Sequence, residues 1–386
     1  MLHTLAISGY RSLKDIVLSL GSLNLITGPN GSGKSSIYRA LRLLAATADG
    51  RLIQSLANEG GLNSTLWAGP ESFSREVLDG TYPVQGTKRK KPVSLRLGFK
   101  TDDSSYTIDL GLAAPSRSAF QLDPIIKREC LFRGRGLTAR ELYADRRGCN
   151  LRVRPNRKWE DVKTPLTNYS SMLTEYSDPV NAPEIILLRD TIRSWRFYDH
   201  FRSDIDAPAR RGQIGTYTPV MSGDGTDFAA ALQTIRETGD GAGLDEAVSD
   251  AFPGSSLTIQ SPNSRFEVAL MQNGMLRPLS TAELSDGTLR YLLLIAALLT
   301  PRPPELMVLN EPETSLHPDL LPALGRLIQR YAAENQIIVV THAKPLIQEL
   351  SQCNQCFHFE LEKSFGATQL LGVDPFDIPH WKWPSR

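Results

Sequence analysis

The chain has 386 residues, with 43 basic against 42 acidic side chains and a formal net charge of +1. That length holds two or three domains' worth of core, and balanced charge gives no global field for nucleic acid, so any such surface must be local. The longest strongly apolar run, Tyr291–Leu299, is about half of a bilayer span, and the N-terminus lacks the basic region and cleavage site of a secretory signal, so a soluble cytoplasmic protein is expected.

The first 45 or so residues alternate strand, turn, strand, loop and helix. Leu23–Thr27 reads as a buried strand and Ser36–Leu44 as a helix. Between them Gly28-Pro29-Asn30-Gly31-Ser32-Gly33-Lys34-Ser35 completes a G-x-x-x-x-G-K-[ST] phosphate loop in the strand–loop–helix context that the motif needs. Glycines let the backbone curl its N–H groups towards phosphate oxygens, and the helix N-terminus adds partial positive charge. Asn30, Gly31, Ser32, Gly33, Lys34, Ser35 and Ser36 are therefore expected to hold nucleotide. Lys34 reaches the β- and γ-phosphates, and the Ser35 hydroxyl ligates Mg²⁺.

A looser stretch ending near Pro70 precedes two alternating segments, Val93–Phe99 and Tyr106–Leu112, typical of antiparallel strands. From Pro115 to Gln260 the pattern is irregular and more polar, with one helix expected around Asp227–Glu237. From Phe266 onward helices and strands alternate again: helix Gly287–Leu299, strand Leu306–Leu309, helix Pro318–Ala333 and strand Gln336–Val340. The alternation predicts an α/β fold, a mainly parallel sheet covered on both faces and split across the sequence by an insertion. Three segments follow: 1–114 and 263–386 as the halves of the head, with antiparallel strands in the first, and 115–262 as a mixed insertion.

A phosphate loop needs an acidic partner at the end of a neighbouring strand. Leu306–Leu309 runs into Asn310-Glu311, with Asn310 standing where an Asp is normal. Glu311 is the candidate general base, because a carboxylate polarises water and an amide does not. Asn310 is the candidate metal ligand, directly or through water. Leu284-Ser285-Asp286-Gly287 opens an apolar helix and offers a second anion site. The strand Ile337–Val340 ends in Thr341-His342, which puts an imidazole at the sheet's carboxyl edge, where ligands bind in such folds. Cys353 and Cys356 form a C-x-x-C pair with no second pair to complete a zinc site, and packing near a strand start accounts for them.

Together these motifs resemble the ABC-class ATPase head, a P-loop NTPase, and within it the RecF/SMC/Rad50-like and OLD-like predicted AAA family ATPases. The resemblance covers residues 1–50 and 265–350 and includes Tyr10-Arg11-Ser12-Leu13-Lys14-Asp15, the Leu284–Arg290 signature, Asn310-Glu311-Pro312-Glu313, the Ser315-Leu316-His317-Pro318 D-loop region and Thr341-His342. It implies two heads sandwiching two ATP molecules, Arg11 at the nucleotide, Ser285, Asp286 and Gly287 acting in trans, and His342 sensing the γ-phosphate in cis. Asn310 departs from the pattern by losing a unit charge near Mg²⁺, which lowers expected metal affinity and turnover. Asp286 replaces the second residue of Leu-Ser-Gly-Gly, and no Q-loop glutamine is found.

Between Lys127 and Lys158 the basics Arg133, Arg135, Arg146, Arg147, Arg152, Arg154 and Lys158 are closely spaced, with a second cluster at Lys88–Lys91. Two readings stand side by side: a phosphate-backbone surface, or an exposed hairpin whose outward positions are Arg. Arg193–Phe201 mixes aromatics with Arg and reads as a core or interface segment. The stretch after His342 is too short for a Toprim nuclease domain, and no coiled coil is seen, so nuclease or toxin chemistry is expected from a separate partner. The expected function is ATP hydrolysis by a homodimer or higher even oligomer acting on DNA or an effector, in genome maintenance or anti-phage defence. The alternative is a nucleotide-gated scaffold that hardly hydrolyses ATP and holds a nuclease or toxin partner.

Overall fold

The computed structural model describes all residues except 73–76, 78, 80, 82–92, 115–116, 262–263, 374–377 and 386. The Lys88–Lys91 cluster lies outside the described residues. The chain gathers into two compact units. Unit 1 comprises Met1–Leu20, Gly28–Arg193 and Glu360–Arg386; unit 2 comprises Gly21–Thr27 and Ser194–Phe359. These bounds interleave along the chain and fall elsewhere than at residues 114 and 262.

Unit 1 is built on an eight-stranded antiparallel sheet ordered β2-β1-β4-β5-β6-β7-β8-β9. Its strands are β1 (Leu2–Tyr10), β2 (Leu13–Ser19), β4 (Leu95–Thr101), β5 (Ser104–Leu112), β6 (Pro124–Arg133), β7 (Leu142–Arg147), β8 (Asn150–Val153) and β9 (Glu160–Asp161). The sheet thus continues through residues 124–161, where the sequence pattern is irregular. The cause is burial of charge. Glu129, Asp145 and Arg146 are fully buried on β6 and β7, so apolar–polar alternation no longer marks the strands. Helix α1 (Lys34–Asp49) starts after Gly33 at φ 113° and ends at Gly50 at φ 71°, left-handed values that favour glycine. It buries Ile37, Leu41 and Leu44. Short helices α2 (Leu52–Asn58), α3 (Leu62–Thr65) and α4 (Met172–Glu175), and the longer α5 (Pro183–Ser194), lie in the same part of the chain.

Unit 2 carries the parallel sheet. Strands β10 (Arg196–Tyr198), β15 (Met307–Asn310), β16 (Ile337–Val340) and β3 (Leu23–Thr27) pair in parallel in that order. Every residue of β3 and β16 is buried, as expected of a sheet covered on both faces. Strand β17 (Cys356–Ser364) follows β3 in the order and runs on into unit 1, where it pairs antiparallel with β18 (Ala367–Leu370). A small second sheet holds β11 (Gln213–Ile214), β12 (Ser256–Gln260), β13 (Arg265–Met271) and β14 (Leu279–Ser280).

Helices α6 (Phe228–Thr238), α7 (Gly241–Ala251), α8 (Asp286–Leu298), α9 (Leu321–Ala332) and α10 (Lys344–Ser351) surround the parallel sheet's core. Helix α8 is buried continuously from Leu289 to Leu298, which is why every residue of that stretch but Arg290 is apolar or aromatic, rather than those of one stripe alone. Trp195, Tyr198 and Phe201 are buried, so the Arg193–Phe201 aromatics serve the interior. Cys353 and Cys356 pack against the core as free thiols. Among the described residues no helix is long and apolar enough to cross a membrane.

Candidate functional site

The phosphate loop belongs to unit 1. Gly28, Gly31 and Gly33 have φ of 141°, 80° and 113°, conformations that L side chains rarely adopt. Lys34 is buried, and its ammonium group donates to the carbonyls of Gly28 (2.7 Å) and Pro29 (3.1 Å). Ser35 is exposed, and the Ser32 hydroxyl is buried without a hydrogen-bond partner among the described residues. The β17–β18 hairpin backs the loop: the Thr368 hydroxyl donates to the Ser32 carbonyl at 2.7 Å and shares a 2.8 Å hydrogen bond with Ser12. A Cβ on Gly33 would meet Thr368 Oγ1 at 2.2 Å, and one on Gly28 would meet the Leu361 carbonyl at 2.3 Å. Neither brace is signalled in the sequence. Arg11, itself at φ 50°, pairs with Glu59 through Nη2 at 2.6 Å, and Tyr10 donates to the same carboxylate oxygen at 2.6 Å. Burial first, then Glu59, raises the Tyr10 pKa well above its usual range.

Asn310, Glu311 and His342 belong to unit 2, and its parallel sheet gathers them. Pairing of β15 with β16 sets Asn310 opposite Val340, so Glu311 and Thr341-His342 leave the same carboxyl edge. The Glu311 N–H donates to the Val340 carbonyl at 2.8 Å. Glu311 has φ 48° and Ser315 φ 65°, each costing about 1–3 kcal/mol, and such strain clusters at functional sites. The Glu311 side chain is 40% exposed.

Glu313 is the best-connected group at this edge. Its Oε1 accepts from the Thr341 hydroxyl (2.7 Å) and the His342 N–H (3.0 Å), and lies 3.2 Å from His342 Nδ1. Glu311 Oε1 lies 3.9 Å from the same nitrogen. Glu313 thus ties Thr341-His342 to the end of β15, a link the sequence does not announce. Its Oε2 is buried without a partner among the described residues, as is Asn310 Oδ1. Two orphaned acceptor oxygens at one sheet edge are the donor type that Mg²⁺ takes. The residues present therefore fit the metal that the motif implies.

Ser285 caps α8: its hydroxyl accepts from the Thr288 N–H at 3.1 Å. Asp286 pairs with Arg210 at 2.6 Å, which fixes the departure from Leu-Ser-Gly-Gly in place. Ser285, Gly287, Ser315 and His317 share the wall of an open cavity of ≈ 610 Å³, so signature and D-loop residues are brought together. A Cβ on Gly287 would sit 2.8 Å from the Ser315 carbonyl. From the same helix, the buried Arg290 donates to the Asp199 carbonyl and to His200 Nδ1, both at 3.2 Å. Burial lowers the Arg290 pKa, opposed by Asp199 and Glu313.

The basic stretch is corrected at one position. Arg146 is fully buried, ion-paired with Glu129 at 3.1 Å, and belongs to the interior rather than to a surface. The other arginines have partners too. Arg147 and Arg152 converge on Asp145, Arg133 pairs with Glu184 and Arg135 with Asp102. Arg154 donates to the carbonyls of Ala139 and Arg140. Arg152 and Arg154 also stack on Trp159, at 4.5 and 5.7 Å from the ring centroid. Lys158 is exposed.

A family profile described as "AAA domain, putative AbiEii toxin, Type IV TA system" matches residues 23–347. A curated relative, OLD nuclease of Thermus scotoductus, is 50% identical over 113 residues. That match covers 28% of this chain and 20% of the relative, so the chain spans about a fifth of its length. Among solved structures, an Smc head domain with an extended coiled coil, bound to the C-terminal domain of ScpA derived from Pyrococcus furiosus, superposes with a TM-score of 0.50. It shares 12% identity, with 96% of this chain and 95% of that one covered. The SMC head domain from Thermotoga maritima gives a TM-score of 0.44 at 15% identity, with 97% and 99% covered. The first likeness shows the fold, that of an ABC-class ATPase head. With the profile running over most of the sequence, the chain belongs to this AAA-domain family and carries its P-loop motif.

Proposed function

We propose that this chain binds and hydrolyses ATP as a head-to-head homodimer, or a higher even oligomer, closing around nucleotide to act on DNA or on a separately encoded nuclease or toxin. Genome maintenance or anti-phage defence suits such a cycle. The phosphate-loop amides from Asn30 to Ser36 and the Lys34 ammonium take the phosphates, with Arg11 moving from Glu59 to nucleotide. Glu311 removes a proton from the attacking water, and His342, oriented by Glu313, contacts the γ-phosphate. Ser285, Asp286 and Gly287 of the second copy close the far side. Mg²⁺, held by the Ser35 hydroxyl and Asn310, directly or through water, would neutralise phosphate charge. What carries the reading is the gathering of Glu311, Glu313 and His342 at one sheet edge, with 3.2 Å between Glu313 and His342 Nδ1. The stack of Arg152 and Arg154 on Trp159 supports a phosphate and base contact, since Trp159 is 38% exposed.

A second reading, a nucleotide-gated scaffold with little hydrolysis, is favoured by Asn310 alone, because an amide in place of a carboxylate weakens metal binding. Phosphate release by the purified chain with Mg²⁺ and ATP separates the two. Steady turnover that stops with EDTA is the expected result. Tight ATP binding with no phosphate release over many hours would replace the enzyme with the scaffold.

A further inference from the structure

The parallel register sets Tyr198 of β10 beside Leu309 of β15. The next residue on each strand is then Asp199 on one and Asn310 on the other, side by side at the carboxyl edge. Asn310 Nδ2 donates to Asp199 Oδ1 at 2.9 Å. An ionised carboxylate only accepts, so Asp199 fixes which way the amide faces: the NH₂ towards β10, and the carbonyl oxygen away from it. That carbonyl oxygen is buried and has no hydrogen-bond partner among the described residues. Asp199 is itself anchored from a third element, since Arg290 of α8 donates to its carbonyl at 3.2 Å and to His200 Nδ1 at 3.2 Å.

We propose that Asp199 is the positioning residue of the metal site, a carboxylate one strand over that aims and polarises the Asn310 oxygen and so restores the negative charge missing from position 310. The inference rests on the ATPase reading and adds to it a residue that no motif marks. Its physics is that of outer-shell groups elsewhere: a carboxylate accepting from a ligand's N–H fixes the ligand's orientation and raises its basicity. It also changes what a substitution at Asn310 means. Asn310→Asp alone would set two acceptor carboxylates against each other across a 2.9 Å contact, which removes the hydrogen bond that aims the oxygen at position 310. The informative partner is the exchange protein, Asp199→Asn with Asn310→Asp, which keeps one amide, one carboxylate and the hydrogen bond between them.

The test is the dissociation constant of a fluorescent non-hydrolysable ATP analogue, measured with Mg²⁺ and again with EDTA, for four full-length proteins. Asp199→Asn is expected to weaken binding about tenfold or more with Mg²⁺ and to leave the value in EDTA unchanged. Asn310→Asp should show the same selective loss, and the exchange protein should regain the metal-dependent affinity. A merely structural role moves both constants together. That outcome, no change in either, or an exchange protein no better than the single variants would overturn the assignment. If Asp199→Asn does not fold, the exchange protein decides alone: wild-type metal dependence supports the proposal, and its loss refutes it. Should the wild type itself bind the analogue equally well with and without Mg²⁺, the ATPase reading fails, which is a different result.

Discussion

Glu311→Gln is expected to lower steady-state ATP turnover by about 100-fold or more, the usual contribution of a general base, while ATP stays bound and the dimer accumulates. The expectation follows from where Glu311 sits. Its backbone is fixed by the N–H bond to Val340 at 2.8 Å, which the substitution keeps. Its side chain is 40% exposed, so no buried charge is stranded and the protein should fold as before. Glutamine has the same shape but takes no proton from water. Phosphate release, with sedimentation velocity in the presence of ATP, reads both consequences. Turnover at the parental rate would remove Glu311 from the role and pass attention to Glu313, which is buried against His342.

Lys34→Ala should weaken ATP binding about 10- to 100-fold, because hydrogen bonds to charged groups are worth roughly 1.5–3 kcal/mol each. The ammonium group lies within the loop, on the Gly28 and Pro29 carbonyls at 2.7 and 3.1 Å. The substitution removes both the phosphate's cation and an internal tie of the loop. A melting temperature near that of the wild type, together with lost binding of labelled ATP, would assign the effect to the phosphates. An unchanged dissociation constant would show that the loop does not hold nucleotide.

How much of this was legible beforehand depends on whether a residue's role is local. The phosphate loop, the β15 end at Asn310-Glu311 and the β16 end at Thr341-His342 are read directly, because each lies beside a strand whose apolar run announces it. Asp199 and Thr368 are not legible. Asp199 matters only because β10 pairs in register with β15. Thr368 matters only because a hairpin more than three hundred residues later returns to Ser12 and Ser32. Strands β6 to β8 were hidden for a different reason. Arg146 with Glu129, and Arg128 with Asp145, are ion pairs turned inward, and such pairs erase the alternation by which a strand is found. The same burial removes Arg146 from a basic surface that sequence spacing alone assembles.

The most direct test mixes two inactive proteins. Lys34→Ala lacks a working phosphate loop, and Ser285→Arg blocks the signature end. In a two-fold dimer each site takes one element from each copy, so a hybrid retains one complete site. Each variant alone should release almost no phosphate, and their mixture should recover turnover that disappears with excess of either protein. A mixture as silent as its components, or a Ser285→Arg protein with full turnover by itself, would contradict an ATP shared between two copies.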